Sequence, residues 1–170
     1  MSEAFTLYKL IVLYMLEKVD FPLTNGQISE FILDKGYTSY FTLQQAIAEM
    51  VEAGFIREES THNRTLYHLT EEGIETIQFF KSNISPAIRN DVDTFLKEKA
   101  YELKSEVGVR ADFYPNNANE YSVRCQILEG ESTLIDLTIS VPTKEEAQTV
   151  ATNWGRRNQE IYAQIMASLL

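Results

Sequence analysis

Phe55-Ile56-Arg57-Glu58-Glu59, then Ser60-Thr61-His62-Asn63-Arg64, then Thr65-Leu66-Tyr67-His68-Leu69 is the stretch that decides how the chain reads. Two short β-prone runs joined by a polar turn predict a hairpin. Gly54, just before it, ends a helix, because glycine takes the left-handed position at a helix C-terminus without a side-chain penalty. Thr70-Glu71-Glu72-Gly73, just after it, opens another helix and sets acidic residues against the positive end of its dipole. Ile74, Ile77 and Phe80 form the apolar face of that helix. Upstream, a helix from about Ser39 to Ala53 carries the stripe Leu43, Ile47, Met50 and Val51, and Thr42-Leu43-Gln44-Gln45 matches a capping box that would start it later. Before it, Thr24 or Asn25 caps a helix that buries Ile28, Phe31, Ile32 and Leu33 and stops at Gly36. The first helix, residues 3–18, is amphipathic through Phe5, Leu7, Tyr8, Ile11, Val12, Met15 and Leu16. Asp20-Phe21-Pro22 ends it, and a short connection through Leu23 follows.

Downstream, Ser85 caps and Pro86 opens a helix that runs to about Val107 on Ile88, Val92, Phe95, Leu96 and Leu103. Three strands follow, Val109–Tyr114, Tyr121–Leu128 and Leu134–Val141, with turns at Pro115-Asn116-Asn117 and Glu129-Gly130-Glu131. Tyr121, Val123, Cys125 and Ile127 alternate with Ser122, Arg124 and Gln126; Ile135, Leu137, Ile139 and Val141 alternate with Asp136, Thr138 and Ser140. Such alternation predicts an antiparallel meander buried on one side. Thr143-Lys144-Glu145-Glu146 caps a last helix whose buried stripe is Val150, Trp154, Ile161, Ile165 and Leu169.

Helix, helix, helix, hairpin, helix within about eighty residues is the order of a winged helix-turn-helix. The expected fold class is α+β. Residues 1–82 form a winged helix-turn-helix of three helices plus a β-hairpin wing. Residues 83–170 form a helix, a three-stranded antiparallel sheet and a helix, as a domain for dimerisation or sensing. Residues 5–80 resemble the winged-helix repressors of the PadR and MarR kind, on Ala53-Gly54-Phe55-Ile56-Arg57 and Tyr67-His68-Leu69-Thr70-Glu71-Glu72-Gly73. The whole chain resembles an uncharacterised bacterial winged-helix family, on Tyr37-Thr38-Ser39-Tyr40-Phe41-Thr42-Leu43-Gln44-Gln45. What the resemblance implies is transcriptional regulation.

Composition bounds the alternatives. The 170 residues hold 15 Lys and Arg against 25 Asp and Glu, a net charge of −10. At 44% apolar and 24% charged, the chain is neither disordered nor fibrous. No apolar run approaches the roughly 20 residues that cross a bilayer. The start, Met1-Ser2-Glu3-Ala4, lacks the basic segment and cleavage site of a signal peptide, so no membrane partner is expected. The single Cys125 excludes an internal disulfide and suits a reducing cytoplasm, the expected location.

Catalytic chemistry is not legible. His62 at the hairpin tip and His68 in the returning strand lack a third ligand at zinc spacing, so no metal and no cofactor are expected. Cys125, on the inward side of its strand, reads as a small core residue. None of the seven glycines falls in a dinucleotide or Walker pattern. Glu58-Glu59, Glu71-Glu72 and Glu145-Glu146 sit at element ends, and no nucleophile stands beside a base. The expected protein is not an enzyme, and no catalytic residue is assigned.

In a helix-turn-helix the second helix lies in the major groove and offers its N-terminal polar residues to base edges. Here that helix is 39–53. With Leu43 as the buried direction, its opposite side carries Thr38, Phe41, Thr42, Gln45, Ala48, Glu49 and Glu52. Thr38, Ser39, Thr42 and Gln45 are expected to contact bases or backbone, Gln45 by a bidentate contact to adenine. Arg64 is expected to enter a groove or meet a phosphate. Charge opposes this, because residues 1–80 hold five basic residues (Lys9, Lys18, Lys35, Arg57 and Arg64) against twelve acidic ones, a local net of −7. The expected partners are double-stranded DNA and a second copy of the chain as a homodimer. The alternative is an acidic winged helix that holds a protein partner without affinity for DNA. Its support is the local charge and Phe41, which faces solvent unless it folds onto Tyr37 or Tyr40. A small-molecule effector on the sheet face of Arg110, Arg124, Asp136 and Thr138 is a third expectation.

Overall fold

A computed structural model describes residues 3–60, 64–130 and 132–170; Thr61, His62 and Asn63 of the predicted hairpin tip, and Glu131 of the turn at 129–131, lie outside them. The chain is α+β and divides into two compact units, Met1–Leu103 and Lys104–Leu170. The first unit contains α1 (Glu3–Lys18), β1 (Leu23–Thr24), α2 (Asn25–Asp34), α3 (Tyr40–Ala53), β2 (Ile56–Ser60), β3 (Thr65–Leu69) and α4 (Glu71–Phe80). It also takes in the first part of α5 (Pro86–Gly108), after a 3-10 turn at Lys81–Asn83.

Leu10, Ile11, Val12, Leu13, Tyr14, Met15 and Leu16 of α1 are consecutive and all buried. A helix hides its whole circumference only when neighbours surround it. The one-faced pattern expected from the sequence is thus replaced by a central helix, packed against α3, α4 and β3 and sharing a core with Val92 and Leu96 of α5. Burying each such aliphatic side chain contributes about 1.5–3 kcal/mol.

The connection through Leu23 is a strand. Leu23 pairs with Tyr67 and Thr24 with Leu66, which makes a three-stranded antiparallel sheet in the order β1-β3-β2. Two residues are too few to show alternation, so only the tertiary pairing reveals β1. Thr24 then caps α2 in a reciprocal box: Gln27 N donates to Thr24 Oγ1 at 3.0 Å and Thr24 N to Gln27 Oε1 at 2.9 Å. α3 is capped by Ser39, whose Oγ accepts from Thr42 N at 3.3 Å, so the later start suggested by Thr42-Leu43-Gln44-Gln45 is not used. Gly54 ends α3 at φ 82°.

The break at Asn83–Pro86 starts a helix, and the units part at 103/104 rather than at 82/83. The reason is core sharing: Val92, Leu96 and Leu103 are buried in the first unit's cluster. Two phenols tie the same stretch down, Tyr37 donating to Asp91 Oδ2 at 2.6 Å and Tyr14 to Asp93 Oδ1 at 2.8 Å. Burial and the Asp93 bond push the Tyr14 hydroxyl up to about 12.

The second unit adds β4 (Val109–Pro115), β5 (Tyr121–Glu129), β6 (Ser132–Val141) and α6 (Lys144–Leu169), with strand order β4-β5-β6, all antiparallel. Val123, Cys125, Ala147 and Trp154 form its core, and Trp154 Nε1 donates to Gln126 O at 3.3 Å. Five predicted core residues are instead exposed: Leu33, Ile74, Phe80, Ile139 and Leu169. α4 packs mainly on α1, so of its apolar face Ile74, Ile77 and Phe80 only the central Ile77 is enclosed. α6, at 26 residues, outruns the seven-residue β4 beneath it, which leaves Leu169 77% exposed. Asn158, which interrupts the stripe, is buried and donates to Trp154 O at 3.0 Å.

Gly73 sits where the hairpin meets α4. A Cβ there would lie 2.1 Å from Phe55 O and 2.7 Å from Leu69 Cδ1. Gly73→Ala is expected to destabilise the protein by about 1–3 kcal/mol through overpacking against backbone, read as a lower midpoint in urea. Burial pushes the Cys125 thiol up to about 11. Iodoacetamide at pH 8 is expected to leave Cys125 unmodified in the native protein and to alkylate it once urea unfolds the chain.

Candidate nucleic-acid interface

The face of α3 that points away from the core begins at its N-terminus. Leu43, Ala46, Ile47 and Met50 are buried, while Phe41, Gln45, Ala48 and Glu52 are exposed in one row at spacings of four, three and four. Phe41 is 80% exposed. It does not fold onto Tyr37, which instead packs edge-on against Phe31 with ring centroids 5.9 Å apart.

The other expected contact residues are distributed as follows. Ser39 is exposed and spends its oxygen on the cap, while its hydroxyl donates to Thr42 Oγ1 at 3.0 Å. Thr38 and Thr42 are half-buried, and Gln45 is exposed. These four therefore share the start of one helix. Arg64 lies on a different element, half-buried at the entry to β3. His62 and Asn63, expected beside it, fall outside the described residues. His68 sits 2.9 Å from Glu59 Oε2 across the hairpin. Among the described residues no group of three or more His, Cys, Asp or Glu converges as a metal site.

A polar cluster that the sequence did not announce holds α3 against α2 and β3. Asn25 Nδ2 donates to Gln44 Oε1 at 2.7 Å and to the Tyr67 hydroxyl at 3.1 Å. Gln44 Nε2 donates back to Asn25 Oδ1 at 2.9 Å and to Ser29 Oγ at 3.3 Å, and the Ser29 hydroxyl donates to Asn25 Oδ1 at 3.1 Å. Burial holds the Tyr67 phenol above its ordinary range, so it stays neutral and accepts the Asn25 proton. The usable signal is angular: at about 100° per residue from Leu43, Gln44 falls on the flank and Gln45 on the outer side.

The electrostatics around this face are set by internal pairing. Glu49, on the outer side of α3, lies 2.8 Å from Lys9 of α1 and is partly neutralised. Lys81 pairs with Glu17 at 3.0 Å and Lys99 with Glu30 at 3.5 Å. Lys9, Lys81 and Lys99 are thus committed to acids of the same unit, and Glu52 stands exposed at the far end of the α3 row. In the second unit the polar sheet face is also engaged with itself. Arg124 grips Asp136 bidentately, Nε to Oδ1 at 3.0 Å and Nη2 to Oδ2 at 2.7 Å, which lowers the Asp136 carboxyl. Arg110 Nε donates to Val107 O at 3.1 Å.

The two adjacent glutamines separate scaffold from surface. Gln44→Ala leaves the amide of Asn25 short of its partner and is expected to cost about 1–3 kcal/mol, whereas Gln45→Ala is expected to stay within about 0.5 kcal/mol. Thermal melts of the two variants check the contrast.

Among the described residues no helix is long and apolar enough to cross a membrane. The chain matches no curated protein and no solved structure. One family model spans residues 8–169, nearly the whole of both units, and the chain belongs to that family, the domain of unknown function DUF4364.

Proposed function

We propose that this protein is a cytoplasmic DNA-binding transcriptional regulator whose first unit is a winged helix-turn-helix, acting as a homodimer on double-stranded DNA. The observation that carries the reading is the outer face of α3: it begins at a capped N-terminus, bears Gln45 and Thr42, and makes no use of its exposed row in the core. Three further features support it. α2 and α3 are joined by five residues and clamped by the Asn25–Gln44 cluster, as a reading helix requires if it is to be presented rigidly. The β2–β3 hairpin follows α3 directly, in the position of a wing, with Arg64 on it. The free N–H groups and dipole at the start of α3 favour a phosphate there. Two reading units in one dimer also gain effective concentration on a two-site operator, which offsets the small number of cations available for phosphates.

A second reading has a specific observation behind it. Phe41 and Tyr40 are both exposed on a unit of net negative charge, the surface of a module that holds a protein. The two readings separate in a selection of bound fragments from genomic DNA at low and moderate salt. The DNA reading expects a recurring, two-fold symmetric site and a dimer in sedimentation. The double substitution Thr42→Ala, Gln45→Ala is expected to abolish sequence-specific binding with the melting temperature nearly unchanged. Retention of specific binding by that variant rejects α3 as the reading helix, and no enrichment by folded protein at either salt favours the protein-holding module.

A further inference from the structure

The chemistry of the exposed α3 row narrows which base pairs it can read. The helix contains no Lys and no Arg from Tyr40 to Ala53, so it lacks the bidentate cationic contacts to guanine O6 and N7. Of its two glutamines, Gln44 is consumed by Asn25 and Ser29, and Gln45 alone is exposed with an amide suited to adenine N6 and N7. On either side of Gln45 in the same row stand Phe41, four residues earlier, and Ala48, three residues later, both exposed and both apolar. Apolar side chains of these types discriminate bases through the C5-methyl group of thymine. Phe41 to Ala48 spans about 10 Å along the helix axis, about three base-pair steps, so the row reaches over about four pairs. Glu52 lies about 16 Å from Phe41 and falls outside that span.

We infer that Phe41, Gln45 and Ala48 read an A·T-rich stretch of about four pairs, Gln45 through adenine and the two apolar residues through thymine methyls, with no Arg or Lys contact to guanine from the helix. This rests on the DNA-binding reading and names its partner's sequence class. An exposed phenylalanine beside a glutamine on an otherwise acidic surface then has one explanation in base chemistry, and discrimination comes from base edges more than from phosphates.

The test uses the full-length protein and random-sequence duplexes. The inference expects an enriched core of about four pairs in which at least three are A·T. It further expects replacement of the core thymines by deoxyuridine, which removes only the methyl groups, to weaken binding by about fourfold per contacted methyl. Phe41→Ala is expected to bring the thymine-to-uracil affinity ratio towards unity at the position it reads, with the melting temperature unchanged because the side chain is exposed. A core dominated by G·C pairs, equal affinity for thymine and uracil duplexes, or an undiminished ratio in Phe41→Ala overturns the inference while leaving DNA binding in place. If no duplex is enriched, the DNA-binding reading falls and this inference falls with it.

Discussion

The first unit depends on the enclosure of α1. Seven consecutive side chains, Leu10 to Leu16, are hidden, so elements have to close around every side of that helix. α3 and α4 pack on it, and α5 contributes Val92 and Leu96 to the same core. The start of α5 is fastened by the phenols of Tyr14 and Tyr37 to Asp93 and Asp91. A helix that follows the hairpin thereby becomes part of the first core instead of a free connector.

With its inner stripe fixed on α1, α3 still needs its flank set. The Asn25–Gln44–Ser29–Tyr67 cluster does this with directional bonds, which apolar packing alone does not supply. Every amide and hydroxyl in it finds a partner, and a satisfied polar network in a low-dielectric interior specifies one arrangement strongly. The consequence for function lies one residue further along the chain. Holding Gln44 inward turns Gln45, Phe41 and Ala48 outward on a rigid helix, so a contact surface of small extent is presented in a defined orientation.

Charge shapes what that surface can do. Acidic residues outnumber basic ones, and several lysines of the first unit lie against glutamates of the same unit. Such exposed or half-exposed pairs add little to stability. They do reduce the positive potential available to a polyanion. Affinity for DNA is built largely on neutralised phosphates, so the proposed DNA-binding role rests more on base chemistry and on paired units than that of a basic domain does.

Local order was written plainly in the chain. The helices stop where Pro22, Gly36 and Gly54 stop them, the hairpin follows its polar turn, and the meander follows two-residue alternation. Cys125 and Trp154 are core residues, as their positions on strand and helix stripes implied. Such features are local, set by backbone conformation and by side-chain periodicity of a few residues. What the chain could not announce depends on neighbours distant in sequence. β1 exists only because Leu23 and Thr24 meet Tyr67 and Leu66. The units part at 103/104 only because α5 shares its first turns with the core around α1. Ser39 and Thr42 both offered a cap, and the helix took the earlier one. At the candidate site the sequence determined the types of residue on the outer side of α3 and the absence of Lys and Arg there. The tertiary structure decided that Phe41 stands exposed and that Gln44 is held inward, because hydrogen bonds and burial are fixed by what lies across the fold and not by what lies next in the chain.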